Sequence, residues 1–245
     1  PKLDGIRCIV QMKDGKIVSH TRTGREIETI PHILEELKFF FDLYPNAVLD
    51  GELYNHALKS DFNKIVSLVR KQVPVRSEKQ TDNAFAKKVK AFEDRMVEAK
   101  SMIQYWVYDC PRIGELNESN TFSERFEKLT NQFKLGNPFP DGVVLVPTEN
   151  ISDKETLDVF YAEWLKKGFE GQMVRKDAPY ENKRSATLLK RKEFTDAEYK
   201  VLDIEEGDGN RTGTAKHLVC YCPTTDKAFN SNVKGNFEYL KEILD

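Results

Sequence analysis

A lysine, an aspartate, a glycine and an arginine fall within the run Lys2-Leu3-Asp4-Gly5-Ile6-Arg7, and a two-stranded pattern starts directly behind them. Cys8 to Met12 and Lys16 to His20 flank Lys13-Asp14-Gly15, a spacing that predicts a β-hairpin leading out of the motif. The opening residues are therefore tied to a sheet rather than to a free arm. Lysine is a poor nucleophile while protonated, so chemistry at Lys2 needs neighbours that change its protonation and an electrophile worth attacking. Gly5 lets the backbone approach a phosphate closely, and Arg7 carries a planar fork of donors suited to phosphate or ribose oxygens.

Further short segments follow in order. They are Thr21-Arg22-Thr23-Gly24, Leu49-Asp50-Gly51-Glu52-Leu53, Trp106-Val107-Tyr108-Asp109, Glu170-Gly171-Gln172-Met173-Val174-Arg175 and Leu188-Leu189-Lys190-Arg191-Lys192. Arg22 and Arg25 stand in a polar loop where they can grip a phosphate. Lys190 and Lys192 are two residues apart, so on a strand both point to one face and reach one phosphate, while Arg191 points elsewhere. As like charges they would also depress the pKa of Lys2. A carboxylate near a triphosphate is repelled unless it binds a metal or a ribose hydroxyl, which limits the useful work of Glu52 and Glu170. Asp50, directly before the glycine, is the weaker ligand of its strand.

The ordered series resembles the covalent nucleotidyltransferases, and most closely the ATP-dependent DNA ligases of small, phage-like type. The resemblance implies an α+β, ATP-grasp-like nucleotidyltransferase domain of antiparallel sheets flanked by helices over residues 1–194. An OB-fold barrel would begin in residues 195–245. It implies sealing of nicked duplex DNA with ATP and Mg²⁺, through AMP carried covalently on Lys2. Under it, Glu52 contacts the ribose, Glu170 holds the divalent metal with Glu52 as second candidate, and Tyr108 stacks on adenine in place of the more usual Phe. Arg175 and Arg7 lie near the nucleotide, Lys190 and Lys192 serve the phosphates, and the arginine of the Arg22 to Arg25 loop meets the 5′-phosphate strand. Rival readings are an mRNA guanylyltransferase, disfavoured by Glu170-Gly171, an RNA ligase, disfavoured by Asp-Gly after the lysine, and a non-catalytic nucleic-acid-binding module.

The chain of 245 residues can bury a large core, and 39% hydrophobic with 32% charged residues is ordinary for a globular protein. Its net charge of −2 provides no global positive field, so any nucleic-acid contact must come from local clusters. No apolar run is long enough to span a bilayer, and Cys8, Cys110, Cys220 and Cys222 form no paired framework. The expectation is an intracellular, cytoplasmic monomer, phage- or virus-encoded and acting in the host cell. Segments beyond both ends are expected, since the key lysine is the second residue and the tail is short for a barrel of about five strands.

Pro31 to Tyr44 reads as one core-facing helix, Thr121 and Glu124 as a capping box, and Ser152 with Glu155 as another. The tail reads as strands at 198–204 and 217–222 around a Gly-rich turn.

Overall fold

The computed structural model describes residues 1–134, 142–194 and 196–245. The chain divides into two compact units, Pro1–Glu193 and Phe194–Asp245.

In the first unit a five-stranded sheet runs in the order β2-β1-β3-β4-β5. The strands are β1 (Ile6–Lys13), β2 (Lys16–His20), β3 (Val48–Tyr54), β4 (Gln104–Arg112) and β5 (Val143–Leu145). The hairpin forms as its turn residues require: Asp14 and Gly15 adopt positive φ of 50° and 73°, and Lys13 pairs with Lys16. All neighbouring pairs are antiparallel except β4 with β5, which is parallel, so the sheet is mixed rather than purely antiparallel. A separate antiparallel pair joins β6 (Gly171–Arg175) to β7 (Leu188–Lys192).

Helices cover these sheets. The single helix expected from Pro31 to Tyr44 is instead α1 (Pro31–Glu36) and α2 (Lys38–Leu43), broken at Leu37. Both pieces still bury the apolar stripe, with Ile33, Leu37, Phe40 and Phe41 at the centre of the core. Next come α3 (Phe62–Val69), capped by Asp61 accepting from Lys64 N–H, and the long α4 (Asp82–Met102). The capping box before α5 (Phe122–Lys134) is present: Thr121 N–H donates to Glu124 at 2.8 Å, and Glu124 N–H to Thr121 Oγ1 at 3.5 Å. For α6 (Lys154–Lys166) the cap is Asp153, not Ser152, because a carboxylate one residue later accepts from both the N–H and hydroxyl of Thr156.

The second unit contains β8 (Lys200–Glu206), β9 (Ala215–Cys222) and β10 (Lys227–Asn232) in an antiparallel sheet ordered β10-β9-β8, followed by α7 (Phe237–Leu244). The sequence pattern marks neither β10 nor α7. Within the described residues no helix is long and apolar enough to cross a membrane.

Gly51 shows how tightly the central strands are packed. The β3/β4 register shifts on either side of Asp50, and a Cβ at Gly51 would lie 2.5 Å from the Trp106 carbonyl oxygen and 2.6 Å from the Tyr105 ring. Backbone and a fully buried ring cannot yield cheaply, so Gly51→Ala should destabilise the protein by about 1–3 kcal/mol, the usual cost of overpacking. A denaturant midpoint equal to that of wild type would refute this packing.

Candidate active site

Lys2 is held first by its backbone. Its N–H donates to the Gly171 carbonyl at 2.8 Å, and the Glu170 N–H donates to the Lys2 carbonyl at 3.2 Å, so the segment leading into β1 is bridged to the start of β6. Gly171 has to be glycine here: its φ is +153°, and a Cβ would meet the Arg191 carbonyl oxygen of β7 at 2.2 Å. The close pairing of β6 with β7 places Gly171 opposite Lys192.

The result is a carboxylate shared by two cations. Glu170 Oε2 accepts from Lys2 Nζ, and its Oε1 accepts from Lys192 Nζ at 2.8 Å. Partial burial raises the Glu170 carboxyl, but the hydrogen bonds from Lys192 and Lys2 outweigh it and hold the group below its ordinary range. Lys192 responds in the opposite sense, drawn upward by the same hydrogen bond and charge. Arg191 turns to the other face, pairing with Asp158 of α6 at 2.5 Å and lying 4.1 Å over the Tyr161 ring. Lys190 is exposed, two residues from Lys192 along the strand.

A second cluster surrounds Asp50, which is almost fully buried at 2% exposure. Arg7 clamps it with two hydrogen bonds of 2.9 and 2.7 Å, and Tyr108 and Tyr180 add hydroxyl donors at 3.2 and 2.8 Å. The Arg7 guanidinium also reaches the Tyr180 hydroxyl at 2.8 Å and Asn182 at 3.3 Å. Burial disfavours the Arg7 charge, yet Asp50 more than compensates and holds it above its usual value. Tyr108 is half-buried beside this group. Of its neighbours, Tyr105 is fully buried with its hydroxyl on the Cys8 carbonyl at 3.1 Å, and Trp106 packs edge-on to Tyr54.

Arg175 stands apart from Lys2, on Asp109. That fully buried carboxylate accepts from Arg175 and, at 3.1 and 3.0 Å, from the buried Arg125. The Arg175 guanidinium lies 4.3 Å over the Phe122 ring. Arg22 and Arg25 occupy a turn closed by Gly24 at φ 82° and by the Thr21 N–H on the Arg25 carbonyl at 2.8 Å. Together with Arg7 they line a cleft of about 460 Å³. The sequence pattern ranks Asp50 below Glu52 as a ligand and does not single out Tyr180, Asn182, Arg125, Arg70 or Lys71. Nothing in their spacing sets them apart, since they join the site through loops or from another element.

Residues 1–192 match the family described as ATP dependent DNA ligase domain. The chain belongs to that family. The DNA ligase of African swine fever virus is 28% identical over 233 residues, covering 91% of this chain and 48% of the relative. The DNA ligase of Enterobacteria phage T4 is 25% identical over 224 residues, covering 83% and 45%. This chain thus spans about half the length of the curated relatives it matches. Among solved structures, one from a structure-function study of Lig E DNA ligases aligns with a TM-score of 0.67 at 25% identity, over 98% of this chain and 78% of that one. A Chlorella virus DNA ligase-adenylate aligns at 0.52 with 19% identity, over 100% and 78%, a likeness of fold.

Unlike Glu170, Asp50 and Asp109, Glu52 makes no side-chain hydrogen bond or ion pair among the described residues. Burial first, and the charge of Asp50 second, push its carboxyl up from 4.5 to about 8, with Lys2 and Arg7 pulling the other way. The folded chain therefore holds a proton that the unfolded chain releases near pH 4.5, and stability contributed by the neutral form is lost as pH rises to about 8. Glu52→Gln should melt higher than wild type at pH 8, with the difference shrinking toward pH 4.5. Parallel melting curves across that range would show that Glu52 does not carry a raised pKa.

Proposed function

We propose that the protein is an ATP-dependent DNA ligase that seals nicks in duplex DNA. The observation that carries the reading is the Lys2–Glu170–Lys192 cluster, held by the Lys2–Gly171 backbone bridge in a chain of this family. Lys2 Nζ, as the free amine, attacks the α-phosphorus of ATP; the new N–P bond forms as the bond to the pyrophosphate oxygen breaks. AMP then passes to a 5′-phosphate at the nick, and a 3′-hydroxyl displaces it to close the phosphodiester.

These steps crowd negative oxygens together, so the site needs cations more than a strong base. Lys192 and Lys190 supply them from one strand, and Glu170 orients the Lys2 and Lys192 side chains between turnovers. Glu52 serves the ribose, Tyr108 offers an aromatic face to adenine, and Arg7 and Arg175 bring positive charge held in place by Asp50 and Asp109. The described residues contain no cluster of three or more His, Cys, Asp or Glu placed to hold a metal. Glu170, a partly exposed carboxylate beside Lys2 Nζ, is the kind of donor Mg²⁺ ordinarily takes one or two of, its shell completed by water and substrate phosphates. Glu170, with Glu52 second, would hold it, and it would neutralise charge on the phosphate oxygens. The residues from 195 on are read as part of an OB-fold domain, supported by the antiparallel β8–β10 sheet and α7. The protein is further read as an intracellular monomer.

With Mg²⁺ and α-labelled ATP, the denatured chain should keep the label, and Lys2→Ala should lose it. Lys2→Ala should still seal pre-adenylated nicked DNA in part. Label from GTP instead of ATP would move the reading to RNA capping, and no label from either would leave a binding module.

A further inference from the structure

The cleft that holds Arg22 and Arg25 has a second wall that the motifs do not mark. Arg70 and Lys71, immediately after α3, line it together with the loop that follows β2. Two hydrogen bonds fix this wall to that loop's own continuation. Thr29 Oγ1 donates to the Val69 carbonyl at 2.9 Å, and the Val73 N–H donates to Glu28 Oε2 at 2.9 Å. Residues 69 and 73 are thus anchored on consecutive residues 28 and 29, and Arg70-Lys71-Gln72 bulges between the anchors. Val69 is buried and its neighbour Leu68 fully so, which roots the bulge in the core.

The cleft gathers several side-chain charges that the chain itself does not pair. Arg7, Arg76, Arg112, Arg125, Arg175 and Arg191 each pair with a carboxylate. Arg22, Arg25, Arg70 and Lys71, like the exposed Arg184 and Arg211 elsewhere, make no side-chain hydrogen bond or ion pair among the described residues; what sets the four apart is that they line one cleft. Among the residues lining the cleft, Glu26 is the one acid against these cations and Arg7, whose charge is already met by Asp50. Four exposed cations lining one cleft raise its local positive potential and favour an anion within it. In a chain with net charge −2, such a local excess marks a phosphate-binding groove rather than general basicity.

We infer that Arg70 and Lys71 bind backbone phosphates of the nucleic-acid strand that enters this cleft, as a second set of positioning groups alongside Arg22 and Arg25. The assignment rests on the ligase reading of the site. The same phosphate chemistry could come from the triphosphate tail of the nucleotide, and the two sources separate experimentally. Binding to backbone phosphates is read by salt dependence, since each phosphate that a variant no longer neutralises lowers the slope of log K against log salt by about 1.

The test uses the full chain as Arg70→Ala, Lys71→Ala and the double variant, with Lys87→Ala and Lys88→Ala, exposed on α4 outside the cleft, as controls. Each is measured for binding to nicked duplex DNA between low and moderate salt, and for the KM for ATP in covalent self-labelling. The expected result is a several-fold drop in duplex affinity in each single variant, a further drop in the double variant with a slope lower by about 2, and an unmoved KM for ATP. Duplex binding and slope like wild type in the double variant would overturn the assignment. So would a raised KM for ATP with duplex binding intact, which would give Arg70 and Lys71 to the triphosphate. Wild-type protein that takes no label from ATP would overturn the ligase reading on which the assignment rests.

Discussion

The Glu170 carboxylate, shared between the ammonium groups of Lys2 and Lys192, is the constraint on which the site depends. Residues 168 positions apart meet there because the backbone brings them together first: Lys2 exchanges N–H and carbonyl contacts with Gly171 and Glu170. Only a residue without a Cβ can stand at 171, given the Arg191 carbonyl against it, so the glycine after the glutamate is a condition of the ion pair. An exposed lysine-carboxylate pair contributes little by itself. This one is partly sheltered and pre-placed by main-chain hydrogen bonds, so little side-chain freedom remains to be lost when the site is used.

Three carboxylates organise the first unit in the same way, each joined to two cations or to a cation and hydroxyls. Glu170 takes two lysines, Asp50 takes Arg7 with Tyr108 and Tyr180, and Asp109 takes Arg125 and Arg175. Buried charge is tolerated only when paired and hydrogen-bonded, and removing one partner strands the other. Asp50 and Asp109 obey this fully, as their exposures of 2% and 0% require. Glu52, on β3 with Asp50 but without a side-chain hydrogen-bond partner among the described residues, meets the penalty by moving its pKa instead.

Much of this was legible in the residues and some of it was not, for physical reasons. The hairpin was readable because its turn residues need positive φ, and the alternation of Lys190, Arg191 and Lys192 because a strand has a period of two. The likeness of the ordered motifs to the ligase family was readable too, as the match over residues 1–192 shows. The break at Leu37 was not, because α1 and α2 keep the apolar stripe in phase across it. The β10 strand, Lys-Ala-Phe-Asn-Ser-Asn, has too little apolar alternation to announce itself. Tyr180 and Asn182 reach Arg7 from the irregular segment between β6 and β7, where no periodicity marks which side chains turn inward.

The contrast between paired and unpaired arginines follows from where each sits. Arg125 is 1% exposed and could not remain charged without Asp109, so its pairing is a requirement of the fold. Arg22, Arg25 and Arg70 are exposed, and water satisfies them at no such cost, so the fold does not need to supply partners. Their gathering around one cleft is then not a requirement of burial or packing. A cluster of exposed cations that burial does not demand is suited to an anion drawn from outside the chain. The same logic separates Arg7 from them, since Asp50 already meets its charge and holds its guanidinium with two hydrogen bonds where it lines that cleft.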